Sequence, residues 1–190
     1  MDMLTEAEET TLIAPVVNDD NSTFTELYND YFARVDNYVH YRVDDFHAAD
    51  DLVSQIFEKL FAKLKYYQPE KAIFSTWLFS IARNTITDYY RSQKRKQVVS
   101  LDISPELTDS KPDPIDIVIL NETRQHLQKA LASLSQRERD IIALKFWSGS
   151  SNKAIAEIMG ISESNARVIL FRAMRRLRII LESQGLRICG

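Results

Sequence analysis

The sequence predicts an all-α protein of two small helical domains, joined by a flexible acidic linker. Three observations predict it. Apolar residues recur at three- and four-residue steps through most of 24–182, no window alternates with the period of a strand, and a proline-rich acidic stretch interrupts the pattern at 100–120. A chain of 190 residues accommodates one domain or two small ones.

Residues 1–23 have no sustained period and carry six acids with no Lys or Arg, so they are read as an acidic, disordered arm. From Phe24 a stripe runs through Leu27, Tyr28, Tyr31, Phe32, Val35, Tyr38 and Val39, which predicts the first helix. A polar break at Asp44-Asp45 precedes a second stripe, Leu52, Val53, Ile56, Phe57, Leu60, Phe61 and Leu64. Pro69 then sits in a loop ending at Ser75, which is expected to cap a third helix. That helix carries Trp77, Leu78, Ile81, Ala82, Ile86 and Tyr89 and finishes in Arg91, Lys94, Arg95 and Lys96. Three wide apolar stripes can bury one another, so 24–99 is expected to form a compact bundle.

Residues 100–120 hold Pro105, Pro112 and Pro114 and five acids against one base, the composition of a linker. Helical spacing resumes over 121–182 with Leu127, Ala130, Leu131 and Leu134, and Ser135-Gln-Arg-Glu138 has the form of a capping box opening the next helix. Gly149 ends that helix. Residues 183–190 are a tail. From 121 onward twelve bases face six acids, so the basic charge is concentrated in the C-terminal unit.

Within that unit, Lys153 to Arg178 reads as a short helix, a tight turn and a longer arginine-rich helix. Small Ala156 permits close helix approach, Gly160 supplies a left-handed residue, and Ser162 can cap the second helix. Ala166, Ile169, Leu170, Ala173, Leu177, Ile180 and Leu181 form its apolar stripe, leaving Arg167, Phe171, Arg172, Arg175, Arg176 and Arg178 outside it. A buried face opposite a guanidinium-rich one suits a helix lying in the major groove, where Arg reaches guanine edges bidentately and holds phosphates. This is a helix-turn-helix, expected to bind DNA.

Several function classes are disfavoured. No apolar run reaches membrane-spanning length, and the acidic start lacks the basic residues of a secretory signal, so a cytoplasmic protein without membrane insertion is expected. The only cysteine, Cys189, excludes a disulfide framework. His40, His47 and His126 are scattered without metal-ligand spacing, and no glycine-rich loop follows a strand. The Asp44-Asp45 and Asp50-Asp51 pairs are read as solvated, with Asp50 and Asp51 near a helix N-terminus. No enzyme activity, cofactor or metal site is expected.

Two segments carry a family resemblance. Ala49-Asp-Asp-Leu-Val-Ser-Gln-Ile-Phe-Glu-Lys-Leu-Phe61, followed by Phe74-Ser-Thr-Trp-Leu-Phe-Ser-Ile-Ala-Arg-Asn-Thr-Ile-Thr-Asp-Tyr-Tyr-Arg91, resembles the sigma-2 domain of the extracytoplasmic-function (ECF) subfamily of bacterial RNA polymerase sigma factors. The unit from Leu134 through Arg176 resembles their sigma-4 domain. The resemblance covers about 24–182, with both motifs in the family's order. It implies an alternative sigma factor that binds core RNA polymerase and directs promoter recognition, DNA melting and initiation.

It also implies roles for individual residues. Asp51, Leu52, Gln55, Glu58 and Lys59 fall on the helix that binds the polymerase β′ clamp helices in the family, although Ser54-Gln55 replaces the usual Gln-Glu. The third helix and its preceding loop would read the −10 element through Tyr67, Lys71, Phe74, Trp77 and Asn84, with Arg91, Lys94 and Arg95 on phosphate. Trp77 fits core packing equally well. The sigma-4 unit would approach the β flap and read the −35 element through Lys153, Asn165, Arg167, Val168, Phe171, Arg172, Arg175 and Arg176. Val168 and Ile169 stand where Ser and Arg are common in the family. An anti-sigma factor is a further partner the resemblance allows. A stand-alone helix-turn-helix regulator remains the alternative reading.

Overall fold

The computed structural model describes residues 21–99, 126–127 and 129–184. Of the arm expected over 1–23, residues 1–20 lie outside the described residues, as do the linker, the C-terminal tail with Cys189, and the side chains of Phe24 and Lys96; residues 21–23, expected to be disordered, instead form the first turn of the first helix. Six helices are delimited: α1 (Asn21–Arg42), α2 (Phe46–Leu64), α3 (Phe74–Val99), α4 (Gln136–Phe146), α5 (Asn152–Met159) and α6 (Glu163–Ser183). A short helical stretch over 129–132 precedes α4, and there is no strand among the described residues.

Local chemistry sets the helix starts. Asp45 is extended, and its carboxylate accepts from the Ala48 amide, so it is Asp45 rather than Asp50 or Asp51 that occupies the orphan donors of α2. Asp50 lies on the second turn instead, where its carboxylate meets His40 of α1. The expected cap at Ser75 is displaced because α3 already begins at Phe74. A buried aromatic there, packed against Tyr31 and Tyr67, fixes the start by tertiary contact rather than by a polar cap. At α4 the capping box forms in both directions: Glu138 N–H reaches the Ser135 hydroxyl, and the Glu138 carboxylate accepts from the Ser135 amide.

In the N-terminal unit α1, α2 and α3 pack pairwise. Leu27, Tyr31, Val35, Tyr38 and Val39 from α1 meet Leu52, Val53, Ile56, Phe57 and Leu60 from α2 and Leu78, Phe79, Ala82 and Ile86 from α3. In the C-terminal unit Ile141 and Leu144 of α4 and Ile155 and Ile158 of α5 enclose Ala166, Ala173, Leu177 and Leu181 of α6. These two interiors are continuous. α1 packs on α4 and α3 on α5, so both domains share one core. Sequence patterning gives no sign of this docking, because each stripe can be satisfied within its own domain.

Candidate nucleic-acid and polymerase interfaces

The turn between α5 and α6 is built as the sequence anticipates. Gly160 adopts φ 65° and ψ 42°, and its amide reaches the carbonyls of Ala156 and Glu157, closing α5. Ser162 then opens α6 by accepting from the Asn165 amide at 3.3 Å. With Ala166, Ala173, Leu177 and Leu181 buried, the opposite face of α6 stands in solvent. Asn165, Arg167, Val168, Phe171, Arg172, Arg175 and Arg176 are all exposed there, and Lys153 is exposed on α5. Phe171 is 68% exposed, an unusual placement for a large ring that core packing does not explain.

The arginines of this face are not equivalent. Arg167 pairs with Glu163 one turn earlier, Arg178 with Glu182, and Arg176 with Glu138 of α4 at 3.3 Å. Arg172 and Arg175 make no ion pair among the described residues. Glu138 is thus shared between the cap of α4 and a cation of α6. Partial burial opposes its ionisation, but the Ser135 donors and Arg176 outweigh that and hold its carboxyl below the usual range.

On α3, Asn84 is exposed at mid-helix and Arg91, Lys94 and Arg95 are exposed near its end, while Lys71 is exposed in the preceding loop. Three expected contacts are corrected. Phe74 is fully buried and Tyr67 is 7% exposed, so neither ring can stack on a base without opening the core. Tyr67 instead donates its hydroxyl to the Ala72 carbonyl and shapes the loop. Leu52, assigned to the polymerase face, is 3% exposed and belongs to the core. Trp77 is half-buried against Tyr67 and Phe74, with ring centroids 5.0 and 5.8 Å away, which favours packing.

Asp51, Gln55 and Glu58 form an exposed polar row on α2. Lys59 leans the other way and donates to Thr85 of α3 at 3.1 Å. His40, placed among scattered histidines by sequence, lies between two carboxylates, 3.3 Å from Asp36 and 3.0 Å from Asp50. The first pair is an i, i+4 spacing legible in sequence; the second depends on how α1 crosses α2. No described helix is long and apolar enough to cross a membrane.

A buried polar cluster between the domains has no counterpart in the sequence pattern. Asp140 of α4 is 5% exposed; its Oδ1 lies 2.7 Å from Nε of Arg42 and its Oδ2 3.1 Å from Nε of Arg83. The Tyr38 hydroxyl reaches the same carboxylate at 3.3 Å, and burial beside that anion pushes its phenol far above the ordinary value. Nearby, the Arg34 guanidinium, 4.8 Å above the Tyr31 ring, donates to the Ser148 carbonyl. No single-segment signal marks these residues, since each is an ordinary polar residue within its own helix.

These two helical units match known family models. Residues 27–96 match Sigma-70 region 2 and residues 124–177 match Sigma-70, region 4. The fold and its DNA-competent faces therefore define a sigma-70-type transcription factor. Among relatives, the ECF RNA polymerase sigma factor SigL of Mycobacterium tuberculosis is 31% identical over 166 residues, covering 84% of this chain and 89% of SigL. BldN of Streptomyces coelicolor, also an ECF sigma factor, is 27% identical over 158 residues; 83% of this chain is covered but only 60% of BldN. Among solved structures, the sigma factor RpoE of Bartonella quintana, in complex with the anti-sigma factor NepR, superposes with a TM-score of 0.70 at 25% identity. The match covers 84% of this chain and 96% of that one. The chain belongs to the ECF sigma factors, alternative sigma factors that direct transcription initiation.

Proposed function

We propose that this protein is a non-enzymatic cytoplasmic adaptor whose two domains hold separate promoter elements while α2 holds core RNA polymerase. The one-sided construction of α6 carries the reading: apolar residues close its inner face, and the outer face offers Arg167, Val168, Phe171, Arg172 and Arg175 to a groove. Arg172 and Arg175, free of carboxylates, are suited to phosphate or guanine contact without first breaking an ion pair. Arg167 must exchange Glu163 for DNA. Lys153 and Asn165 flank this surface and suit backbone contact.

The −10 element is assigned to Asn84, with Lys71, Arg91, Lys94 and Arg95 following the backbone. An exposed amide can bond the edge of an unstacked base, and unstacking is repaid by such contacts. Tyr67 and Phe74 support the loop from inside. Asp51, Gln55 and Glu58 form the proposed clamp-helix contact. The relative crystallised with NepR favours an anti-sigma partner here as well.

The test is reconstitution. The chain, mixed with core RNA polymerase and a promoter library, should give initiation that depends on the added chain. Tight binding to a palindrome as a dimer without polymerase, and no chain-dependent initiation, would replace this reading with that of a stand-alone regulator.

A further inference from the structure

One cluster of metal-ligating side chains lies apart from the faces assigned to promoter DNA. Asp36 and His40 stand one turn apart on α1, and Asp50 comes from the second turn of α2. Nε2 of His40 lies 3.3 Å from Oδ1 of Asp36 and 3.0 Å from Oδ1 of Asp50. That nitrogen and one oxygen of each carboxylate all lie within 4.8 Å of one another. The sequence alone predicts no metal site, because Asp50 joins the other two only where α1 packs on α2.

Two features set this cluster apart from an ordinary ion pair. Both carboxylates are aimed at the same ring nitrogen. Hydrogen bonds weaken steeply away from linearity, so a single N–H serves only one of the two oxygens well. A metal ion has no such limit, since it takes ligands from several directions at once. Charge is also left over. Neither Asp36 nor Asp50 has another ion-pair partner among the described residues. A protonated His40 therefore balances only one of the two carboxylates, and a neutral His40 balances neither.

The spacing suits a divalent cation. At metal–ligand distances of about 2.1 Å, neighbouring ligand atoms stand about 3.0 Å apart in an octahedral site and about 3.4 Å apart in a tetrahedral one. Both His–Asp distances fall in that range. The Phe46 ring lies against the imidazole, with centroids 4.8 Å apart, and limits its rotation. One imidazole nitrogen beside two carboxylate oxygens favours the first-row series from Mn²⁺ to Zn²⁺ over Mg²⁺ and Ca²⁺, which take oxygen ligands. The Asp50 side chain is 53% exposed, which leaves room for water to complete the coordination.

We propose that Asp36, His40 and Asp50 form a site for a divalent transition-metal ion that clips α1 to α2. With the imidazole proton on Nδ1, Nε2 and the two carboxylate oxygens supply three ligands, and water supplies the rest. The ion neutralises the unbalanced carboxylate charge and joins two helices whose other contacts are largely apolar. Because the three ligands converge only in the folded chain, binding stabilises that state by mass action. The site lies within the N-terminal unit and stands whether or not the sigma-factor reading does.

The test uses the full chain, freed of metal by dialysis against a chelator. Calorimetric titration with Mn²⁺ and, separately, Zn²⁺ should show a single equivalent bound. Either ion should raise Tm by several degrees, whereas Mg²⁺ at the same concentration should leave it unchanged. Asp36→Asn and Asp50→Asn should each weaken binding by about tenfold or more. His40→Lys separates a metal site from an ion pair: lysine keeps a cation between the carboxylates but, charged, offers no ligand, so the metal-dependent rise in Tm should vanish. His47→Gln and Cys189→Ser should bind as the original chain does. If one of the three site variants loses cooperative unfolding, the other two decide. Absence of binding by the original chain, or equal binding of Mg²⁺, overturns the proposal and leaves an ion pair only. Binding that survives in the folded site variants, or is lost with His47 or Cys189, places the ligands elsewhere and overturns it too.

Discussion

Replacing Gly160 by Ala isolates the backbone geometry that aims α6. A Cβ at this position meets no atom within 4 Å, so crowding contributes nothing and the whole effect is conformational. The residue sits at φ 65° and ψ 42°, where an L side chain costs roughly 1–2 kcal/mol. Against this, alanine restricts the unfolded chain and returns about 0.4–1 kcal/mol. The expected net loss is about 1 kcal/mol, or a fall in Tm of a few degrees for a folded region of this size. Gly160→Asn should lose less, because an asparagine side chain tolerates the left-handed region. Urea and thermal unfolding of the three forms, followed by circular dichroism, measure this directly. An alanine form as stable as the original, or an asparagine form less stable than it, would refute the reasoning.

Three further outcomes test the assignments. Phe74→Ala should cost about 3–5 kcal/mol in unfolding free energy, as expected for a buried ring; a small stability loss with a large change in −10 preference would return Phe74 to the DNA. Glu138 has a folded pKa below its unfolded value, so its contribution is complete above the ordinary carboxylate range and is lost as pH falls through the lower folded value. The stability gap between the original chain and Glu138→Gln, measured by urea unfolding, should therefore be present at neutral pH and close as the solution becomes strongly acidic. Arg167→Ala should weaken specific −35 duplex binding by about 1–3 kcal/mol if it pairs with a guanine edge; a loss equal on all sequences would reassign it to phosphate.

The helices and their periodic cores were legible because 3.6-residue spacing is a local property. The turn at Gly160, the cap at Ser162 and the box at Ser135–Glu138 were legible for the same reason: each is a contact within a few residues. Family resemblance placed the functional helices but could not sort residues within them. Leu52 is expected at a surface although its own apolar stripe argues for burial, whereas Phe74 falls at the end of the expected loop, outside any stripe. Tyr67, in a loop with no period, offered no such signal. Asp140 was the least visible. In Arg-Glu-Arg-Asp it has the appearance of a solvated acid on the first turns of α4, and only the arrival of Arg42 and Arg83 from distant segments makes it an interior residue.

The pairing of Arg167, Arg176 and Arg178 with glutamates has a consequence for how the protein searches a genome. A bare row of guanidiniums adheres to any duplex, since each phosphate neutralised releases counterions whatever the sequence. Here part of that row already carries its own counterions, so a random site must displace a glutamate for each such contact it gains. That tax falls on every site alike, but only a matching site returns base-edge bonds to offset it. The glutamates therefore act as a built-in competitor. With α6 as the proposed −35 reader, they would lower affinity for the vast excess of irrelevant DNA, which, at the scale of a chromosome, limits how often a promoter is found.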